Sequence, residues 1–526
     1  MTLPAVPSLA LVLGALAACA APAAPPRPSP AASAPATPVS ASQVNNPCAQ
    51  VTPVALTAPP VMPPDFVVKS QLNADCMAWQ EFLYLNWPVD PNQPGQPDPS
   101  ASVAGFGKPG DTGATVWESY LTPQDVFGPS GKAVTWTMAR PATRPLLRLS
   151  MLGDATIDLG SIHQAGSRGW LTDQRGNLIF YEIHLNQDEY DFITQNQLTT
   201  AAGQTQCASN AGSGGTGGFN LPAGQGNTGR NQDTSCAGTA ATYGLNQGTI
   251  ELKSAWRVLP ADGSLNYRYK IAAATLRLPD GTTQPATVGL VGLHIIRKVP
   301  NAPQLVWATF EQIDNDPDDG TPPTAPTLPT GAPALGAYTL FNPSCDPAKD
   351  LVYHCATNTT LIKTGEMLPP CAQGSYTPGT CYPYWAPMQI TRLVPVKTTP
   401  NNVTAYAWSQ MPESSVFRYY RMIDVQWPST PSLIAPGATV PLSAGGITPS
   451  TGSYIVSNTT METFLQNQAA CMDCHQYAGV AQPKQQHQLL GKGRAVREVF
   501  VTRATAPGQP SYASDYSFIF STDTRH

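Results

Sequence analysis

The chain has 526 residues, a hydrophobic fraction of 41% and a formal charge of −5. That is enough apolar material for a sizeable core, with no basic excess of the kind a nucleic-acid partner requires. Only 12% of residues are charged, while 55 prolines and 43 glycines make turns abundant. The balance excludes a helical bundle or a charge-rich cytosolic enzyme and fits a loop-rich exported protein.

Leu9 to Leu16 is an apolar run too short to span a bilayer, and Leu16-Ala17-Ala18-Cys19 follows it. Small residues before a cysteine resemble a lipobox, so residues 1–19 read as a lipoprotein-type signal peptide with Cys19 as the lipidated residue. An ordinary cleaved signal peptide is the rival, because no Lys or Arg precedes the run. Either reading exports the chain, and lipidation would tie it to a bacterial envelope membrane. Residues 20–64, rich in Ala, Pro and Ser, read as an extended tether.

A β-rich body is expected over residues 65–450. Its first element is an amphipathic helix over Gln71 to Trp87, with apolar residues at three- and four-residue spacing and Pro88 as its stop. Strand-like runs follow at Gly176 to Leu185, Thr249 to Leu259, Tyr267 to Leu278, Thr287 to Val299 and Gln304 to Ile313. Asp280-Gly281 is a hairpin signal, and Asp188 to Gln197 a helical insert. The acidic stretch Asp314 to Gly320 fails as a calcium loop, since its glycine comes late and no Glu takes the twelfth position; it reads as a solvated turn. Glu311 and Arg257 read as surface charges at strand ends. The fold class is α+β: a predominantly antiparallel β body, a few helices, and a short helical segment at residues 451–526. In that last segment Thr459 to Ala470 reads as a helix capped by Thr459 or Thr460.

Eleven cysteines are present. Setting aside Cys19, Cys471 and Cys474 leaves eight, an even number suited to disulfides in an exported chain. Sequential pairing is the simplest arrangement: Cys48–Cys76, Cys207–Cys236, Cys345–Cys355 and Cys371–Cys381. A nested order of the last four stays open.

Cys471-Met-Asp-Cys474-His475 carries the chemistry. In C-x-x-C-H two thiols add across the vinyl groups of a haem and the adjacent histidine meets the iron. Composition alone would produce the string about 0.003 times in such a chain, so chance is a poor explanation. A thioredoxin-like pair, half a zinc site and a plain disulfide are the rivals. The cofactor expected is one covalent haem c, with Cys471 and Cys474 as attachment points and His475 as proximal iron ligand. No methionine follows Met472, a departure from the small cytochromes c that supply a distal methionine after the motif. The distal candidates are His294, Met461 and His487, or an open position. The seven-histidine inventory limits the choice.

Gly289 to Lys298, Trp307 to Glu311 with Asp314-Asn315, Asn458 to Thr463, Glu251 to Trp256 and Phe82 to Trp87 together resemble large, mostly uncharacterised bacterial lipoproteins of the cytochrome c family with one C-terminal C-x-x-C-H motif. The resemblance implies one covalent haem on a large body and brings no catalytic residue with it. Two functions are compatible with it. One is an envelope-tethered electron carrier serving a redox partner protein or a small-molecule oxidant or reductant. The other is a haem-dependent oxidase, peroxidase or oxygenase, suggested by a body far larger than a carrier needs.

Overall fold

The computed structural model describes residues 45–127, 133–137, 147–148, 171–210, 217–226, 232–277, 283–334, 336–346, 355–359, 371, 377, 380–381, 383–448, 455–468, 470–481 and 512–520. Cys19, the signal segment, the first half of the tether, the Asp280-Gly281 turn and His487 lie outside the described residues. In chain order the elements are α1 (Gln71–Leu85), β1 (Val89–Asp90), β2 (Gln93–Pro97), α2 (Pro123–Val126), β3 (Leu147–Arg148), β4 (Phe180–Leu185), α3 (Gln187–Gln195), α4 (Ala201–Ser209), β5 (Ile250–Val258), β6 (Ile271–Arg277), β7 (Thr283–Val299), β8 (Ala302–Gln312), α5 (Thr398–Gln410), β9 (Tyr420–Pro428), β10 (Ile447–Thr448) and α6 (Cys471–His475).

The five expected apolar runs all form strands, and the fold is α+β with an antiparallel β body. Strands β4, β5, β7, β8, β9 and β10 lie side by side in that order. The 17-residue β7 organises the sheet. β5 runs along one edge of it, while β6 and then β8 share the other edge. The run Leu290 to Ile296 is almost continuously apolar because both faces of this central strand are covered.

Alternation along β7 sends Leu293 and Ile295 to one face and Gly292, His294 and Ile296 to the other. On the first face Phe310, paired with Leu293, meets Trp79 and Phe82 of α1 at ring-centroid distances of 5.1 and 4.6 Å. Trp79 in turn donates from Nε1 to Thr404 of α5 at 3.1 Å. Helix α1 is buried nearly all round rather than amphipathic. Its polar side chains have internal partners, Glu81 pairing with Arg297 at 2.9 Å. The helix ends at Leu85, before the residue that precedes Pro88 could be forced helical.

The tether is shorter than expected. Cys48 and Val54 are buried, and Gln80 of α1 hydrogen-bonds Ala55 and Val61, so residues 45–64 pack onto the body. Residues Val44–His526 belong to one compact unit. All four disulfides adopt the sequential pairing. Four disulfides place the body in an oxidising compartment. No described helix is long and apolar enough to cross a membrane.

Glu251 of β5 and Glu189 of α3 are both buried, and no donor among the described residues reaches either Glu189 oxygen. A proton shared between the two carboxyls satisfies both. Burial holds Glu251 up at about 7, and burial with the adjacent Glu251 carboxyl raises Glu189 further above the usual range. A raised folded-state value favours folding below the unfolded value and loses that advantage as pH rises through about 7. Glu251→Gln should therefore flatten the decline in stability between pH 5 and pH 8 by about 2 kcal/mol, read from denaturant midpoints across that range. Peptide mapping without reduction should recover the four bridged pairs, and in protein made without haem only Cys471 and Cys474 should alkylate among the ten cysteines from Cys48 onward.

Candidate haem-attachment site

The motif forms α6, a single helical turn, with Asp473 accepting from the Ala470 N–H at 2.7 Å. Residues three and four apart share a helix face, so Cys471, Cys474 and His475 point the same way. Met472 is buried with Ile296, Leu305, Trp307 and Tyr516. Its N–H donates to Gln426 of β9 at 3.1 Å. The turn is thereby pinned to the sheet by a motif residue that carries no chemistry.

Both thiols are free although the eight other described cysteines are all bridged. A thioredoxin-type pair needs a thiol driven down toward thiolate. Here burial, reinforced by the Glu462 charge, pushes the Cys471 thiol well up, and burial raises Cys474 also. Among the described residues no three His, Cys, Asp or Glu side chains gather to hold a bare metal ion, which leaves half a zinc site without its other half.

His475 donates from Nδ1 to the Tyr516 carbonyl at 2.7 Å, so Nε2 is the nitrogen left for a metal. Its ring rests against Trp307 at 4.3 Å and Phe518 at 4.9 Å. Burial lowers it to about 4, keeping the imidazole neutral, the form that ligates. The accepting carbonyl lies in a strained turn, with Asp515 at φ 54° and Tyr516 at φ 68°. An ion pair from Asp515 to Lys298, the Leu221 N–H on Asp515 and the Tyr516 hydroxyl on Ser443 hold that turn in place.

Lys253, Glu462, Cys471 and His475 share one condition. Each is surrounded closely enough for burial to penalise its charged form, yet each keeps accessible surface. With His294, whose charge both Glu462 and His475 feel, they gather into one partly enclosed recess beside the motif. A recess with a free neutral imidazole, two free thiols and aromatic flanks fits a covalently held haem. A cavity of about 440 Å³ opens elsewhere, by Asp319 and the Cys345–Cys355 bridge, and contains none of these residues.

His294 lies in the recess with its Nε2 3.1 Å from Glu462. Met461 is completely buried in the main core, not in the smaller cluster around the motif. The segment before the motif is a chain of turns, not the expected helix. Its backbone and side chains are spent on the sheet: Asn458 on Thr309 at 2.9 Å, Thr459 on Glu311 and Asp316, and the Thr460 carbonyl on Tyr181 at 2.6 Å. Two further expectations are corrected. Glu311 and Arg257 are buried, paired with Arg392 and Asp173. Asp314 and Asp316 are buried too, so the first half of the acidic stretch belongs to an internal ion network, while Asp319 and Gly320 are exposed as a solvated turn would be.

Lys253, Glu462 and Tyr516 were not legible as site residues. Lys253 reads as an ordinary strand lysine, and Glu462 as a first-turn helix residue. Lys253, His294 and Glu462, with Trp307 against the His475 ring, come from four of the segments on which the family resemblance rests. No protein-family model matches the chain, and no curated protein or solved structure matches it.

A Cβ at Gly292 would meet Thr460 Oγ1 at 2.2 Å. Gly292→Ala should lift the 458–462 segment off the sheet, lowering stability by about 2 kcal/mol in thermal unfolding and increasing the alkylation rate of Cys471 in the haem-free protein.

Proposed function

We propose that the protein is an envelope-tethered monohaem c-type cytochrome that transfers electrons through haem c bound covalently at Cys471 and Cys474, with His475 as the proximal ligand. The observation that carries this reading is the pair of free thiols among described cysteines that are otherwise all bridged, presented on one face with an imidazole whose other nitrogen is already fixed. Haem supplies reversible one-electron chemistry when bound. This chain's residues attach it, orient the His475 ring and exclude water along Trp307 and Phe518. Cys474 is exposed and Tyr477 beside it is 43% exposed, so an edge attached there would be open to a redox partner protein or a small oxidant or reductant. Cys19 would hold the body to the envelope membrane. A second reading, a haem-dependent oxidase, peroxidase or oxygenase, draws on the polar recess with its His294–Glu462 pair.

Expression with a bacterial haem-attachment system should yield protein that retains haem through acid–acetone extraction. Cys471→Ala with Cys474→Ala should lose it entirely. His475→Gly should keep the covalent bond and change the spectrum. Retention of extraction-resistant haem by the double variant would sink the proposal.

A further inference from the structure

Three side chains with unused chemistry lie in the recess: Lys253, His294 and Glu462. Glu462 is drawn in two directions. Burial pushes its carboxyl up, but His294, Lys253 and the Asn458 N–H together bring it below its ordinary value, so it is a carboxylate. A carboxylate only accepts, which assigns the proton in the 3.1 Å contact to His294 Nε2. The remaining nitrogen, Nδ1, makes no hydrogen bond among the described residues, and the side chain stays 12% exposed. Using Nε2 as an iron ligand would cost His294 this bond, and Met461 is shut away in the core. Met461 thus offers no donor to a haem iron held on His475, and His294 keeps only its Nδ1 lone pair, which takes either a proton or the iron. Lys253 adds an enclosed ammonium with no hydrogen bond or close ion pair among the described residues. The Tyr181 ring lies 5.5 Å from its Nζ. The Glu462 carboxylate partly offsets this charge, but its own hydrogen bonds go to His294 and the Asn458 N–H, so the ammonium still favours a further anionic partner.

We infer that the recess is a binding site for a small protic ligand of the HX type, hydroperoxide among them, in which His294 Nδ1 takes the proton, Glu462 positions the ring, and Lys253 faces the conjugate base. The step balances: the H–X bond breaks heterolytically, the proton passes to Nδ1, the electron pair stays on X, and the resulting imidazolium is stabilised by Glu462. No electron moves in this step. The inference rests on haem attachment at the motif, and it deepens the second reading of that site.

Hydrogen cyanide is the probe, because it binds ferric haem only after giving up its proton. Carbon monoxide binds the ferrous form without proton transfer and serves as the control. The full-length haem-loaded protein should be high-spin as purified and bind cyanide. His294→Leu should slow cyanide association about a hundredfold while leaving the spin state and carbon monoxide binding unchanged. Glu462→Gln, which preserves shape, should slow cyanide about tenfold with the same two controls unchanged. Lys253→Met should weaken the bound cyanide and leave carbon monoxide unaffected. A low-spin spectrum that turns high-spin in His294→Leu makes His294 an axial ligand and overturns the inference, while the haem reading stands. Equal cyanide rates in the parent protein, His294→Leu and Glu462→Gln also overturn it. Absence of covalent haem overturns both.

Discussion

The ion pair between Glu311 of β8 and Arg392 is the constraint on which the placement of the motif depends. Both side chains are fully buried. Glu311 also takes the Thr459 N–H, and Arg392 reaches the Ser457 carbonyl. Breaking a buried pair by removing one partner costs about 3–5 kcal/mol, because the other charge is left uncompensated. The segment from Ser457 to Gln466 has few apolar side chains with which to anchor itself. It is held to the sheet by this charge pair and its neighbours, and the C-x-x-C-H motif just downstream inherits its position.

That arrangement explains the division of labour between the faces of the sheet. One face is sealed by α1 and α5 through Trp79, Phe82 and Phe310, and supplies stability by burial. The opposite face is polar where the C-terminal segment crosses it, with Lys253, His294 and Thr309 on adjacent strands in register. Polar groups in such a place are expensive unless satisfied. Most are satisfied by Asn458, Thr459, Thr460 and Glu462. Lys253 and the Nδ1 of His294 stand apart, and they stand beside the motif.

Rigidity at the motif comes from three directions at once. Met472 anchors the turn from below, the Tyr516 carbonyl fixes the imidazole, and Trp307 and Phe518 flank the ring. The strained Asp515-Tyr516 turn is held by an ion pair to Lys298 on the same strand, β7, that carries His294. One central strand therefore supports both the hydrogen bond on His475 and the His294 imidazole.

By itself the amino-acid sequence determined the strands, because apolar runs bounded by turns are local signals, and it determined the thiol–thiol–imidazole constellation, because three residues within one helical turn need no tertiary partner to share a face. Cysteine parity likewise pointed to the bridges. Tertiary structure alone decided which charges are buried. Glu311, Arg257, Asp314 and Asp316 look like surface groups until partners from distant segments close over them. It also turned Thr459 to Ala470 away from the helix its local propensity favours, since contacts to Thr309, Glu311 and Asp316 outweigh a few tenths of a kcal/mol per residue of propensity. Lys253 and Glu462 became part of one site only when the C-terminal segment packed against strands far from it in the chain. Residues that distant carry no shared periodicity, and only the fold brings their charges into one recess.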